Sequence, residues 1–203
     1  IGADADSIAM SNQIHSDLVR PVTCADVKRD LYDVEPYEVD GLVTDIPGVS
    51  LVVFGADCLP VLFYDPVRRV AAAAHAGRRG TAAGIVERAV EKMAFYGSRP
   101  EDILAAIGPG ISRCCFETHE DVPNAMTSAL GVCATPYIDP IENGKFKVDL
   151  KGINAMRLER AGLLPEHIAV SGDCTACHPE KYWSHRVTNG VRGSQAAVIE
   201  LLK

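Results

Sequence analysis

The sequence predicts a mixed α/β fold built on mixed sheets, and three observations carry that prediction. Residues 49–80, VSLVVFGADCLPVLFYDPVRRVAAAAHAGRRG, hold three apolar runs of strand length, at 50–54, 60–64 and 69–74, with reactive side chains only where each run ends. The following segment, TAAGIVERAVEKMAFYG, spaces its apolar residues three and four apart, as an amphipathic helix does. Beyond it strands and helices alternate with hairpin-like strand pairs, which favours mixed over purely parallel sheets.

A chain of 203 residues, 47% of them hydrophobic, can bury roughly 70% of its unfolded surface in one core and is short for two domains. One domain over residues 1–203, of two interleaved halves, is the expectation. The net charge of −7, with no run of Lys and Arg longer than two, argues against a nucleic-acid or anionic-membrane partner. Pro, Gly or charge interrupts every apolar segment before membrane-spanning length. Seven cysteines, two of them adjacent at Cys114 and Cys115, favour reduced thiols and a cytoplasmic setting over a disulfide framework.

Taken in order, Gln13-Ile14-His15 reads as strand, with Gln13 and His15 on one face. Residues 24–48 read as connecting structure around a turn at Asp40-Gly41 and a short strand at 42–44. Thr81 is placed to cap the amphipathic helix, which Gly97 and Pro100 stop; its free N–H groups with Arg78 and Arg79 would favour an anion. A strand at 103–107 leads into the Gly108-Pro109-Gly110 turn, and a polar helix covers 119–130. A strand at 146–150, a short helix at 154–161, a strand at 167–170 and a last strand at 196–202 complete the set.

The chemistry concentrates at strand ends. Cys58 and His75 stand 17 residues apart at the termini of neighbouring strands and can meet at one sheet edge. With His15 they would form a Cys-His-His set, which suits zinc and leaves the fourth tetrahedral position open. On local sequence alone His15 reads more readily as an ordinary surface or hydrogen-bonded histidine. The same residues support a metal-free alternative, with Cys58 as nucleophile and His75 as its base in a cysteine hydrolase acting on small peptide or sugar substrates. Cys174-Thr-Ala-Cys177-His178 matches a covalent haem attachment pattern, but no distal ligand or export signal accompanies it. As half of a metal site it lacks a second CxxC, so burial as small apolar residues is the expectation for Cys114, Cys115 and Cys177.

The segments QIH, GADCLPVLFYD, AHAGRRG, IGPGIS-RCCFE, GDCT and WSHR, in this order, resemble the bacterial YfiH-like family. That family was first described as polyphenol oxidases or laccase-domain proteins and is now read as purine nucleoside phosphorylases with adenosine deaminase activity. The resemblance implies a four-layer α-β-β-α sandwich of two related halves. It implies one zinc ion on His15, Cys58 and His75, and adenosine, inosine, guanosine or methylthioadenosine plus phosphate as substrates. Arg79 with the helix start at Thr81 would cradle phosphate, Asp57 or Asp173 would move protons, and Arg186 would bind phosphate or form a structural ion pair. Two departures stand out: Arg78 replaces a usual tryptophan, and only twelve residues precede Gln13, so an N-terminal arm is expected to be truncated. Oligomeric state is not set by the sequence.

Copper polyphenol oxidation is the competing enzyme class. Six scattered histidines without an H-x-H pair argue against a multicopper cluster, although copper would bind a Cys-His-His set. A non-enzymatic scaffold with structural zinc is the third reading, and it requires a fourth protein ligand.

Overall fold

The structure is a computed structural model that describes residues 5–27 and 37–202. Its strands are β1 (Ile8–Ala9), β2 (Val19–Pro21), β3 (Gly41–Thr44), β4 (Ser50–Gly55), β5 (Leu59–Asp65), β6 (Val70–Ala76), β7 (Leu104–Ile107), β8 (Glu117–Thr118), β9 (Ile138–Pro140), β10 (Phe146–Val148), β11 (Ile168–Val170) and β12 (Gln195–Glu200). Its α-helices are α1 (Arg78–Ala83), α2 (Ile85–Ala94), α3 (Asp121–Leu130), α4 (Leu150–Arg160) and α5 (His185–Thr188). The fold is mixed α/β with mixed sheets. A six-stranded sheet runs β11-β7-β5-β6-β3-β2, a second sheet runs β1-β4-β12, and β8-β10-β9 form a small third. The outer pairs β11–β7 and β2–β3 are parallel, while β7–β5, β5–β6 and β6–β3 are antiparallel.

Two cores follow from side-chain alternation along these strands. Val70, Ala72, Ala74 and Ala76 of β6 face a helical layer, where Ile85, Val86, Ala89 and Met93 of α2 and Ile153 and Leu158 of α4 are buried. Ala73 of β6 and Leu42 of β3 face the other way, onto Leu51 and Val53 of β4. The described residues therefore stack helices, the six-stranded sheet and the β1-β4-β12 sheet in that order. β6 lies inside the stack and is buried along its whole length, which explains its run of small, apolar alanines.

Local chemistry shifts several boundaries. Gly84 adopts φ +89° and divides the single helix expected over 81–97 into α1 and α2. The helix starts at Gly77–Arg78, so Thr81 is not a cap: it is buried inside α1 and its hydroxyl accepts Asn154 Nδ2 at 2.9 Å. Asp149, by accepting Gly152 N–H at 3.0 Å, caps α4, which starts at Leu150, where a strand to residue 150 was expected. Residues 13–15 are not a strand. His15 sits at φ +64°, and Gln13 reaches the sheet through its side chain, donating to Phe54 O at 2.8 Å and accepting Phe54 N–H at 2.7 Å.

Candidate metal centre

Register decides where the central cysteine and histidine go. Pro60 pairs with His75 across β5 and β6, so both point to the face of Ala73, toward the second sheet. Cys58 stands in the bend just before β5, and its Sγ meets the same cluster. β6 runs one residue past His75, so this histidine projects from within a strand rather than from the corner after it. It is 4% exposed.

His15 reaches the same place through a loop that Asp40 holds in shape. The Asp40 carboxylate is fully buried and accepts backbone N–H groups from Ile14, His15 and Ser16 at 3.2, 2.9 and 2.6 Å, together with the Ser16 hydroxyl at 2.7 Å. Three consecutive amides on one carboxylate stabilise the positive φ of His15, a conformation that costs about 1–3 kcal/mol for a non-glycine residue. The same carboxylate takes His75 Nδ1 at 2.8 Å. That bond fixes the His75 ring and leaves Nε2 as its donor atom.

One ligand atom from each of His15, Cys58 and His75 lies within 4.8 Å of the others. The two imidazoles meet edge to face, with ring centroids 4.9 Å apart. Gly77 closes the back of the cluster: a Cβ there would stand 2.9 Å from Cys58 Sγ and 3.1 Å from His15 Cδ2. Burial would push the Asp40 carboxyl up, but its bonds to His75, Ser16 and His15 hold it at about 2. Burial likewise raises the Cys58 thiol, and hydrogen bonds with His15 and His75 more than offset it, bringing it to about 7. Burial lowers the His75 imidazolium, whereas its bonds to Asp40 and Cys58 lift it to about 9.

A thiolate and two imidazoles at this spacing suit a tetrahedral d10 ion, and three ligands leave one position for a substrate. The cluster borders two cavities. A cavity of about 290 Å³ lies on one side, lined by His15, Asp57, Cys58, Arg78, Ile111, Phe116, His185, Arg186 and Arg192. A second, of about 230 Å³, is lined by Gln13, His15, Phe54, Cys58, His75 and Arg192.

The other candidate residues divide. Asp57 lines the larger cavity at φ +84°, with Oδ1 accepting the Thr175 hydroxyl at 2.7 Å and Oδ2 accepting Arg186 N–H at 2.7 Å. Arg186 also lines it, its guanidinium donating to Cys115 O at 3.1 Å over the Phe116 ring; among the described residues no carboxylate pairs with it. Arg79 lies instead in a neighbouring groove with Ala82, Val122 and Met126, and it is Arg78 that lines both spaces. Asp173 is not brought to the cavity. Its carboxylate accepts Lys181 Nζ and Tyr182 OH, each at 2.6 Å, and these bonds hold it at about 2.

Sequence reasoning missed Asp40, His185 and Arg192. Asp40 was read only as a turn former, His185 stood in the WSHR segment without a role, and Arg192 carries no local signal. The burial expected of Cys114, Cys115 and Cys177 does not hold: Cys114 and Cys177 are exposed and Cys115 is half-buried, while Cys174 is buried.

Comparison with known proteins places these residues in a lineage. Residues 1–202 match the family described as multi-copper polyphenol oxidoreductase laccase. Purine nucleoside phosphorylase YlmD of Bacillus subtilis is 35% identical over 199 residues, covering 97% of this chain and 71% of its own length. Adenosine deaminase RL5, from an unknown prokaryotic organism, is 32% identical over 191 residues, covering 92% of this chain and 72% of that protein. Purine nucleoside phosphorylase LACC1 of Mus musculus is 36% identical over 173 residues, and there the match spans 82% of this chain but 39% of the relative. The crystal structure of hypothetical protein YfiH from Bacillus licheniformis superposes with a TM-score of 0.94 at 35% identity, covering 100% of this chain and 76% of the other. No helix among the described residues is long and apolar enough to cross a membrane.

Proposed function

This chain belongs to the multi-copper polyphenol oxidoreductase laccase family, and from that membership we propose that it is a zinc-dependent purine nucleoside phosphorylase that also deaminates adenosine. The names of its relatives support purine nucleosides as the substrate class. The observation that carries the reading is the convergence of His15, Cys58 and His75 beside a cavity to which Arg78, Arg186 and Arg192 contribute. Phosphorolysis requires an anion held against the ribose, and guanidinium groups bind phosphate by paired, charge-assisted hydrogen bonds. Arg186 is pre-positioned for this by Cys115 O and by its own backbone bond to Asp57. In the reaction the phosphate oxygen forms a bond to C1′, the bond to the purine nitrogen breaks, and the base leaves with the bonding pair and takes up a proton.

Zinc, when bound, supplies Lewis acidity at the open coordination position and the capacity to activate water. The chain's own residues do the remaining work. Asp40 keeps the His75 ring in one orientation and shapes the His15 loop, and Gly77 leaves the room that the ligands occupy. Phe116, buried beneath the Arg186 guanidinium, gives the cavity an aromatic wall suited to the flat ring of a purine. Asp57 anchors the loops carrying Thr175 and Arg186 around the cavity, and is the proton-transfer candidate that lies within it.

Copper is the alternative metal. A multicopper cluster needs many imidazoles, and of the six histidines in this chain only His15 and His75 join the cluster. A second reading also has an observation behind it: Cys58, His75 and Asp40 form a nucleophile-base-carboxylate chain by geometry alone. Both are tested by measuring phosphate-dependent release of free base from adenosine and inosine, with metal content and iodoacetamide labelling of Cys58 in parallel. Phosphate-dependent turnover, lost with His75→Ala and accompanied by protection of Cys58 in the zinc-loaded protein, is expected. Phenol oxidation without phosphorolysis, or rapid alkylation of Cys58 in metal-loaded protein, overturns it.

A further inference from the structure

A second group of sulfur atoms lies outside this cavity. Cys114 and Cys115 follow the Gly108–Gly110 turn after β7, and Cys174 and Cys177 follow β11. These segments are neighbours because β7 and β11 pair in parallel, Ile107 against Val170, and the pairing continues through a bridge between Gly110 and Cys174. Thr175 N–H donates to Gly110 O at 3.2 Å. One ligand atom from each of the four cysteines lies within 4.8 Å of the others. The Sγ separations are 3.8 Å for Cys114–Cys115, 3.6 Å for Cys114–Cys177 and 3.4 Å for Cys115–Cys177, and all four thiols are free.

Those distances discriminate between occupants. A disulfide brings two sulfurs to about 2.05 Å. Four thiolates about 2.3 Å from a common zinc ion stand about 3.8 Å apart along the edges of a tetrahedron. The observed separations sit near the tetrahedral edge. Thiols serving as apolar filler would be buried, whereas Cys114 and Cys177 are exposed. Cys174 Sγ, the buried member of the four, accepts Ser112 N–H at 3.3 Å.

A second, independent feature is Lys151. It is 5% exposed, and its ammonium donates to the carbonyls of Ser171 and Asp173 at 2.9 and 2.6 Å; among the described residues no carboxylate forms an ion pair with it. Asp173, whose carbonyl it binds, directly precedes Cys174 in the chain. A buried cation without an ion-pair partner, set beside the cysteines, is suited to a net anionic centre, and a tetrathiolate zinc complex carries two negative charges.

We propose that Cys114, Cys115, Cys174 and Cys177 bind one Zn²⁺ in a closed tetrahedral site that staples the wall of the substrate cavity. Four S–H bonds break, four Zn–S bonds form, four protons pass to solvent, and nothing is oxidised. The ion joins the loop carrying Phe116 and the Cys115 carbonyl, which holds Arg186, to the segment whose Thr175 holds Asp57. With all four positions filled by protein, the site is structural rather than catalytic.

The test uses the full chain purified with reductant and without chelator. His15→Ala/His75→Ala removes two ligands of the first centre, and this variant is expected to retain one zinc per chain whose X-ray absorption spectrum shows four sulfur neighbours. Adding Cys174→Ser/Cys177→Ser should abolish that zinc. If the variants do not fold, the wild-type protein decides alone, because two zinc ions average five sulfurs to two nitrogens whereas the first centre by itself gives one to two. No zinc in the His15→Ala/His75→Ala protein, iron in its place, or a disulfide among these four cysteines in freshly prepared protein overturns the proposal. Phosphorolysis is not a readout here, so failure of the nucleoside reading and failure of this site are separable.

Discussion

The two ligand clusters of this molecule are built from opposite materials. The His15-Cys58-His75 centre mixes imidazole with thiolate, draws one ligand from within strand β6, and opens onto two cavities. The four-cysteine cluster is all sulfur, sits on two loops, and has no position left for a substrate. Both are assembled from segments far apart in sequence. The difference teaches that ligand number and support predict role: three ligands held by a buried carboxylate leave reactivity, while four ligands on loops leave only cohesion.

Four substitutions test the independence of the two clusters. Cys174→Ser should produce the largest change. A metal present at about a thousand times its Kd stabilises by roughly 4 kcal/mol, and each kcal/mol moves the melting temperature of a chain this size by about 2–4 °C. A fall on the order of 10 °C in zinc-containing buffer, read by calorimetry, is therefore expected, and an unchanged melting temperature would deny the cluster a structural role. Next comes Cys58→Ser, which should lower phosphorolysis by about 100-fold or more, above the 10–100-fold typical of residues that only support a metal ligand. Zinc on the four cysteines should persist in that variant.

Asp40→Asn separates support from ligation. Metal affinity at the first centre should fall by about 10–100-fold, with the second centre unaffected. The same substitution has a pH signature. Asp40 is held at about 2, below its usual 3.8, so its bonds stabilise the fold on the order of 2 kcal/mol at neutral pH. A depressed carboxylate contributes fully above its unfolded value and loses that contribution as pH falls toward its folded value. The gap in urea-unfolding stability between wild type and variant should thus hold at pH 7 and narrow between about pH 4 and 2. Gly77→Ala should have the smallest effect, about tenfold in affinity at the first centre alone, because its Cβ would press on Cys58 Sγ at 2.9 Å and His15 Cδ2 at 3.1 Å. Equal loss at both centres would mean that the clusters are not independent.

Much of the frame was legible in the residues. The strand expectations at 50–54, 60–64 and 69–74 lie within β4, β5 and, but for their first residue, β6, because each run is apolar and bounded by polar or Gly-rich turns. The 42–44 and 103–107 strands are present within one residue, and the 119–130 helix starts two residues later at Asp121. What failed was local geometry imposed by distant groups. His15 was read as strand because its neighbours alternate, yet the Asp40 carboxylate bends that loop to φ +64°. Thr81 has the side chain of a helix cap, yet its hydroxyl accepts Asn154 from another helix.

The sequence by itself determined the class of fold, the apolar strands that bring Cys58 and His75 to one sheet edge, and, through the family resemblance, the expectation that His15 joins them, which the convergence of the three side chains supports. Tertiary structure alone decided that Asp40 orients two of those ligands, that Arg186 and Arg192 rather than Arg79 line the cavity, and that an adjacent cysteine pair meets a distant CxxC. The physical reason is range. Apolar periodicity and turn chemistry act over a few residues and can be read along the chain, whereas a shared carboxylate or a tetrahedron of sulfurs exists only after parallel neighbours such as β7 and β11 bring the segments beyond them together.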